Sequence, residues 1–386
     1  MDSIGSRIRP GASAELVAAL SEGGAVDGLR VRGFVPLGPG PLVSLGPGPL
    51  VPLGERPITA DQTNTSVVVG ERVVVKWMRP PAGGDPAGRA PDLLAHLVAA
   101  GFTRTPTPYA AVYRDRPGAP HLVALVTAFL PDAEDGWDWC VDALLDQLGG
   151  GPPADWADAI GTLAAELHAA LATPSDTIPE PVIEAADPGW AEEGLAVLDE
   201  ARRLLPAPAQ DRRTADGAED ARWFAARVGR IRADIERSRL VTRTPVIRPH
   251  GDLHVGQILR WRGGLAVTDF DGNPILAAST GVTFAEPAAR DVAQLRTSLL
   301  HVGEIANRRT EGRHRPAVAA WCRDAVDDLL AAYRRTLDER GMAYLFDERL
   351  LRPFEVEQEC RELIYAARFL PRWRYAPMGV LRSWYD

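Results

Sequence analysis

The sequence predicts an α+β protein of two lobes, and three observations carry that reading. Valine-rich strand signals and tight turns gather before residue 132. Helical periodicity dominates from Trp137 onward. One compact strand–loop–strand unit, between Val246 and Ile275, interrupts the helical part. A β-rich segment followed by a helix-rich one is the pattern of segregated layers, not of alternating β–α units. The 386 residues suffice for two or three units, each able to bury a core.

In chain order, residues 1–57 read as a small N-terminal cap subdomain. Residues 12–20 have helical spacing. A tandem repeat follows, Leu37-Gly-Pro-Gly-Pro-Leu-Val-Ser44 and Leu45-Gly-Pro-Gly-Pro-Leu-Val-Pro52. Each copy is a Pro/Gly turn plus a short apolar strand. The interleaved prolines lack the N–H groups that a phosphate-cradling loop needs, so the repeat is not read as one. Residues 58–132 form a β-rich lobe. Within it, 66–69 and 72–77 flank Gly70-Glu71, a hairpin signal. Residues 92–100 place Leu93, Leu94, Leu97 and Val98 at helical spacing, and 110–113 and 121–130 are further strands. Residues 131–136 connect the lobes.

Residues 133–386 form the helical lobe. Ile160, Leu163, Leu167 and Leu171 make one stripe over 155–171. The acidic, proline-bearing stretch 174–217 reads as surface helices and loops. Helices are expected over 218–240, 288–307, 315–341 and 354–370. In the last, Val356, Cys360, Leu363, Ala367 and Leu370 form the expected buried stripe.

Composition narrows the function classes. The net charge of −9 and the lack of a basic run argue against nucleic acid or an anionic membrane as partner. No run of 18 or more apolar residues is present, so no span is expected. The first ten residues carry no apolar signal core, which points to the cytoplasm. Cys140, Cys322 and Cys360 suit reduced thiols, not a disulfide framework or a zinc site. Of 43 basic residues only Lys76 is lysine; the others are arginine. A lone lysine in an arginine-rich chain marks a position arginine does not fill.

The densest chemistry lies in His250-Gly-Asp-Leu-His-Val-Gly-Gln257 and Val267-Thr-Asp-Phe-Asp-Gly272. Apolar neighbours put Asp252 and Gln257 on a loop and Asp269 at the end of a returning strand. Two carboxylates and an amide suit Mg²⁺, which takes a few oxygen ligands and keeps the rest of its shell for phosphate. A carboxylate held slightly apart can accept a hydroxyl proton.

These two motifs resemble the catalytic and metal-binding loops of the aminoglycoside-phosphotransferase group, whose fold is protein-kinase-like. The resemblance implies ATP and Mg²⁺ as cofactors. It makes Asp252 the base and a substrate contact, and Gln257 and Asp269 the metal ligands. Gln257 stands where the group usually has Asn, and the bacterial maltokinases share this glutamine. Residues 61–66 and Lys76-Trp-Met-Arg79 resemble the maltokinase phosphate-covering segment and lysine strand. That implies phosphate contacts from Asn64, Thr65 and Ser66, and from Lys76 as a compact point charge. Asp92 is the implied carboxylate partner of Lys76, with a role at the start of its helix as the alternative. Ala128 and Leu130 fall where main-chain groups meet adenine. Arg290-Asp291 matches a structural motif in which Asp291 fixes the catalytic loop.

The terminal stretch from Glu359 to Pro377 resembles the actinobacterial glucosamine kinases. It implies a small-molecule sugar as partner and puts Glu359, Glu362, Trp373 and His301 at the sugar pocket, each with packing or solvent exposure as the alternative. Spare carboxylates suit a cationic amino sugar. The expected activity is an ATP- and Mg²⁺-dependent kinase making glucosamine 6-phosphate. Maltokinase, aminoglycoside phosphotransferase and a non-catalytic pseudokinase are the alternatives.

Overall fold

The computed structural model of the chain describes residues 8–22, 26, 28–37, 54–58, 64–79, 88–116, 120–186, 188–205, 215–272 and 285–386. The tandem repeat lies almost wholly outside the described residues, as do 61–63 of the phosphate-covering segment. The chain divides into two compact units.

The first unit comprises Met1–Ala133, Ser175–Ile178 and Trp261–Gly281. Its strands are Arg30–Gly33 (β1), Glu55–Ile58 (β2), Thr65–Val69 (β3), Val73–Trp77 (β4), Pro108–Arg114 (β5) and His121–Ala128 (β6). They form one sheet in the order β1-β5-β6-β4-β3-β2, with antiparallel pairing throughout. Gly70 and Glu71 both take positive φ, +60° and +52°, as a two-residue turn matched to strand twist requires.

Helix Ala12–Ser21 (α1) covers one face of the sheet. Its Leu16 and Val17 pack with Val67, Val69, Val73, Val75, Val112 and Val126. Side chains alternate along a strand, so Val73 and Val75 turn to α1 while Lys76 points to the other face. A second helix, Ala90–Ala99 (α2), packs beside β5.

The expected boundary between 57 and 58 falls inside this sheet, because β1 pairs with β5 and β2 with β3. Arg30-Val-Arg-Gly33 and Glu55-Arg-Pro-Ile58 are short and polar, as edge strands usually are, and carry no valine alternation to announce them. The segments 175–178 and 261–281 were expected in the helical lobe but group with the sheet. The Val267 N–H donates to the Arg104 carbonyl at 2.9 Å, and His96 Nδ1 meets Ser175 Oγ at 2.6 Å.

The second unit comprises Glu134–Pro174, Pro179–Arg260 and Val282–Asp386. Among the described residues its helices are Gly136–Leu148 (α3), Ala157–Leu171 (α4), Trp190–Leu204 (α5), Ala215–Glu236 (α6), Ala288–Arg309 (α7), Arg315–Glu339 (α8), Leu351–Arg368 (α9) and Tyr375–Tyr385 (α10). Helix α4 lies so close to α8 that a Cβ at Gly161 would sit 2.1 Å from the Leu329 carbonyl oxygen. Helix α9 packs on α5, α6 and α7. Val356, Cys360 and Leu363 are buried there as expected, but Ala367 is exposed and Ala366 takes its place. Helix α10, which no periodicity announced, adds Met378, Leu381 and Tyr385 to this core.

Candidate active site

The loop carrying Asp252 is fixed from below by one buried carboxylate. Helix α7 presents Asp291 in its first turn. Asp291 Oδ2 accepts the His250 N–H at 2.7 Å and Oδ1 accepts the Gly251 N–H at 2.9 Å. Gly251 has φ +80°, a bend that puts consecutive amides on one side. His168 of α4 reaches the same carboxylate through Nε2 at 3.1 Å, and its Nδ1 meets the Tyr333 hydroxyl of α8 at 2.7 Å. Burial alone would raise the Asp291 pKa; the His168 hydrogen bond and charge, with His250 and the Gly251 amide, outweigh it and hold the carboxyl below the usual range. Asp291 thus stays ionised and accepts three hydrogen bonds.

One helical turn on, Gln294 Nε2 donates to Asp252 Oδ1 at 2.8 Å. This orients Asp252. His254 Nε2 lies 4.0 Å from Asp252 Oδ2, and its ring stacks on Trp137 with centroids 5.6 Å apart. The loop then turns through a short 3₁₀ segment, Val255–Gln257, whose Val255 N–H donates to Ser298 Oγ of α7. Gly136, the first residue of α3, touches that segment: a Cβ there would lie 1.6 Å from the Val255 carbonyl oxygen. Only glycine lets α3 approach.

Lys76 and Asp269 belong to the first unit. Lys76 Nζ donates to Asp269 Oδ1 at 2.8 Å and to Asp271 Oδ2 at 2.9 Å. Burial would lower the lysine pKa, but the two carboxylates raise it, so the ammonium stays charged. Burial pushes the Asp271 carboxyl up, with Lys76 opposing. Phe270 between them is buried, and Asp269 takes a left-handed backbone with φ +63°. Such a conformation is costly for most side chains and tolerated best by Asn and Asp.

The implied Lys76–Asp92 pair is not formed. Asp92 lies in the first turn of α2 and pairs with Arg32 of β1 at 2.5 Å, half-exposed. With Asp269 and Asp271 already at the ammonium, Asp92 has no role there. Asn64 Oδ1 accepts the Arg79 N–H at 3.1 Å, so it fastens the strand ends; Ser66 is buried opposite Lys76 in the sheet register, and Thr65 is exposed. The Ala128 N–H donates to the Thr107 carbonyl at 2.8 Å, which removes that donor from base recognition. Leu130 is buried.

The expected sugar residues gather in the second unit. Glu359 of α9 is fully buried; its Oε2 meets His301 Nε2 at 3.0 Å, and its Oε1 has no hydrogen-bond partner. Burial, with Glu362 and Glu355 nearby, raises the Glu359 pKa well above the ordinary range, and burial lowers that of His301. Glu362 accepts from the Trp373 indole N–H at 2.9 Å and from Gln358 at 3.1 Å. Trp373 meets His301 and Trp137 edge-on, with centroids 5.4 and 5.8 Å apart. The rings His254, Trp137, Trp373 and His301 therefore link Asp252 to both glutamates. Of the residues not foreseen, Asp271 and Gln294 carry a readable signal: Asp271 lies two positions after Asp269, and Gln294 three after Asp291 on one helix face.

In the first unit, the carboxylate oxygens of Asp269 and Asp271 are donors of the kind that fit Mg²⁺, a hard cation that takes few protein ligands. Among the described residues no helix is long and apolar enough to cross a membrane.

No family model matches the chain. It is 41% identical over 325 residues to the glucosamine kinase of Streptacidiphilus jiangxiensis, spanning 83% of this chain and 71% of that one. A solved glucosamine kinase in complex with glucosamine, ADP and inorganic phosphate superposes with a TM-score of 0.76 at 36% identity, covering 99% of this chain and 84% of that one. An AMP-bound spectinomycin phosphotransferase shares the fold at 12% identity, with a TM-score of 0.53 and 87% and 91% of the two chains covered. With identity of this extent over most of both chains, the chain belongs to the glucosamine kinase family.

Proposed function

We propose that the protein transfers the γ-phosphoryl group of ATP to D-glucosamine, giving glucosamine 6-phosphate and ADP, with Asp252 as base. The observation that carries this reading is the way Asp252 is held. Its loop backbone hangs on ionised Asp291, and its own carboxylate is oriented by the neutral amide of Gln294. A base so placed keeps one orientation, which alignment-based catalysis needs.

In this reading Asp252 takes the proton of the acceptor hydroxyl as the new P–O bond forms and the bond to the β-phosphate oxygen breaks. Lys76 holds phosphate oxygens as a charged donor. Asp269 and Gln257, with Asp271, would hold Mg²⁺, which when bound would supply neutralisation of phosphate charge. Trp373, fixed by Glu362, offers the sugar an aromatic edge, and Glu362 sets the charge that favours an ammonium. His301 is oriented by Glu359 from beneath.

The test is coupled ADP release with Mg·ATP across glucosamine, N-acetylglucosamine, glucose, maltose and kanamycin. Glucosamine is expected to be selected, with a 6-phosphate product by NMR. Asp252→Asn is expected to lower kcat by roughly 10²–10⁴ while calorimetric ADP binding persists. Undiminished turnover in that variant overturns the base, and selectivity for maltose overturns the substrate.

A further inference from the structure

His254 follows Asp252 by two positions, and the loop between them is close to extended. Leu253 is fully buried, while the residues on either side of it are partly exposed. His254 itself has φ −127° and ψ 170°. In such backbone, side chains two apart face the same side, so the imidazole and the carboxylate are neighbours.

The loop also assigns the two ring nitrogens. Nδ1 accepts the Gly256 N–H at 3.1 Å. A nitrogen that accepts carries no proton, so the ring N–H is at Nε2. The ring is held in plane by Trp137, on which it stacks at an interplanar angle of 28°. Gly256 permits the stack, because a Cβ there would lie 2.5 Å from Trp137 Nε1 and 2.8 Å from His254 Cε1.

The donor so fixed lies 4.0 Å from Asp252 Oδ2. That is too long for a direct hydrogen bond. It is the span that one oxygen fills when it sits about 2.7–3.0 Å from each atom. A ligand can reach both groups: the His254 side chain is 26% exposed and that of Asp252 23%. Gln294 engages the other carboxylate oxygen, Oδ1. The gap lies at the Asp252 end of the row of rings that leads through Trp137 and Trp373 to Glu362.

We propose that His254 is a second catalytic residue, whose Nε2–H donates to the acceptor oxygen while Asp252 takes that oxygen's proton. This rests on the reading of Asp252 as base for a glucosamine hydroxyl. A hydroxyl oxygen has one O–H and two lone pairs. Here the O–H points to Asp252 Oδ2, and one lone pair accepts from His254. The other pair forms the new P–O bond as the bond from the γ-phosphorus to the bridging oxygen breaks, and that electron pair leaves with ADP. The proton ends on Asp252, and His254 keeps its own. Its part is to stop rotation of the hydroxyl, leaving the attacking pair one direction.

Two variants separate this role from a structural one. The Asn side chain places a polar atom where imidazole has Nδ1, and Gln places one where it has Nε2. His254→Asn therefore keeps an acceptor for the Gly256 N–H and removes the donor, and His254→Gln does the reverse. Glucosamine kcat is expected to fall about tenfold or more in His254→Asn, the worth of one hydrogen bond, and to be largely restored in His254→Gln. A histidine that only fixes the loop would give the opposite order. That order, equal losses, or an unchanged kcat in His254→Asn overturns the proposal. A second measurement needs no variant: long-range proton–nitrogen NMR of the imidazoles in the full chain saturated with ADP. Glucosamine is expected to move the His254 Nε2 resonance and 6-deoxyglucosamine, which lacks the bridging oxygen, to leave it in place. No shift with glucosamine, or equal shifts with both, overturns the proposal even where the variants do not fold. Failure of the glucosamine reading shows elsewhere, as absence of glucosamine turnover in the parent.

Discussion

The two halves of α7 bury ionisable partners equally deeply and shift their titration in opposite directions. In the first half, Arg290 bonds Glu357 of α9 at 2.9 Å, and Asp291 holds the catalytic loop. Burial would raise the pKa of Glu357, but Arg290 and Arg361 outweigh it and hold the carboxyl below its usual range. In the second half, His301 faces Glu359, two residues further along α9, and the pull of Arg352 on the carboxylate is outweighed by burial and by Glu362 and Glu355. There burial prevails and pushes acid and imidazole both towards their neutral forms. Depth does not set charge; the partner does. The charged half acts as a fixture for the loop. The neutral half keeps hydrogen-bonding groups beside Trp373 without a charge to attract water.

The most severe challenge to this contrast is Glu357→Ala. It takes one carboxylate from Arg290, which is about nine-tenths buried and keeps Glu286 at 3.1 Å, and one from Arg361, and should cost about 2–3 kcal/mol, read as a fall in denaturation midpoint. A loss under about 1 kcal/mol would show that the charged half is not held by this pair. Asp291→Asn comes next. The amide leaves at least one loop N–H or His168 without an acceptor, so about 1–3 kcal/mol of stability should go. The kcat should fall about tenfold or more while ADP binding persists, and an unchanged kcat would separate the fixture from catalysis.

Glu359→Gln should do least, because it replaces one neutral group by another, and about 1 kcal/mol or less is expected in acid. Its pH dependence distinguishes the two halves. The folded-state pKa of Glu359 is raised, so its contribution is fully present below the ordinary value of about 4.3 and is lost as pH rises. That of Glu357 is depressed, so its contribution is present above that value and is lost as pH falls. Melting temperatures from pH 4 to 9 should therefore show Glu359→Gln closing its deficit, or overtaking the parent, as pH rises. A constant difference would mean that Glu359 is ionised after all.

Much of this was legible in the chain because its signals are local. The Gly70-Glu71 turn, the valine run that ends at Lys76, and the His250–Gln257 loop each declare themselves within ten residues. The rest depends on partners far away in sequence. Lys76 finds Asp271 across 195 residues, and Asp252 finds Gln294 across 42. Asp92 looked like the lysine's partner because it opens the following helix, yet Arg32 was nearer to hand. Strands β1 and β2 carry charge where strands usually carry valine, and only the sheet edges that they complete explain them. Glu357 and Glu359 differ by two positions and read alike in sequence; their opposite shifts come from Arg290 and Arg361 at the one and from burial beside Glu362 and Glu355 at the other.

Lys76 also has a practical use. It is the only lysine side chain in the protein, its side chain is 19% exposed, and both of its bonds go to carboxylates. Reductive methylation with carbon-13 would therefore add a single lysine signal to an NMR spectrum, at the proposed phosphate end of the molecule. Amine-reactive labelling at that position would slow when nucleotide fills the site and quicken when the carboxylates let go. The arginine-rich composition thus leaves the protein with an intrinsic single-position reporter of occupancy, needing no engineered probe.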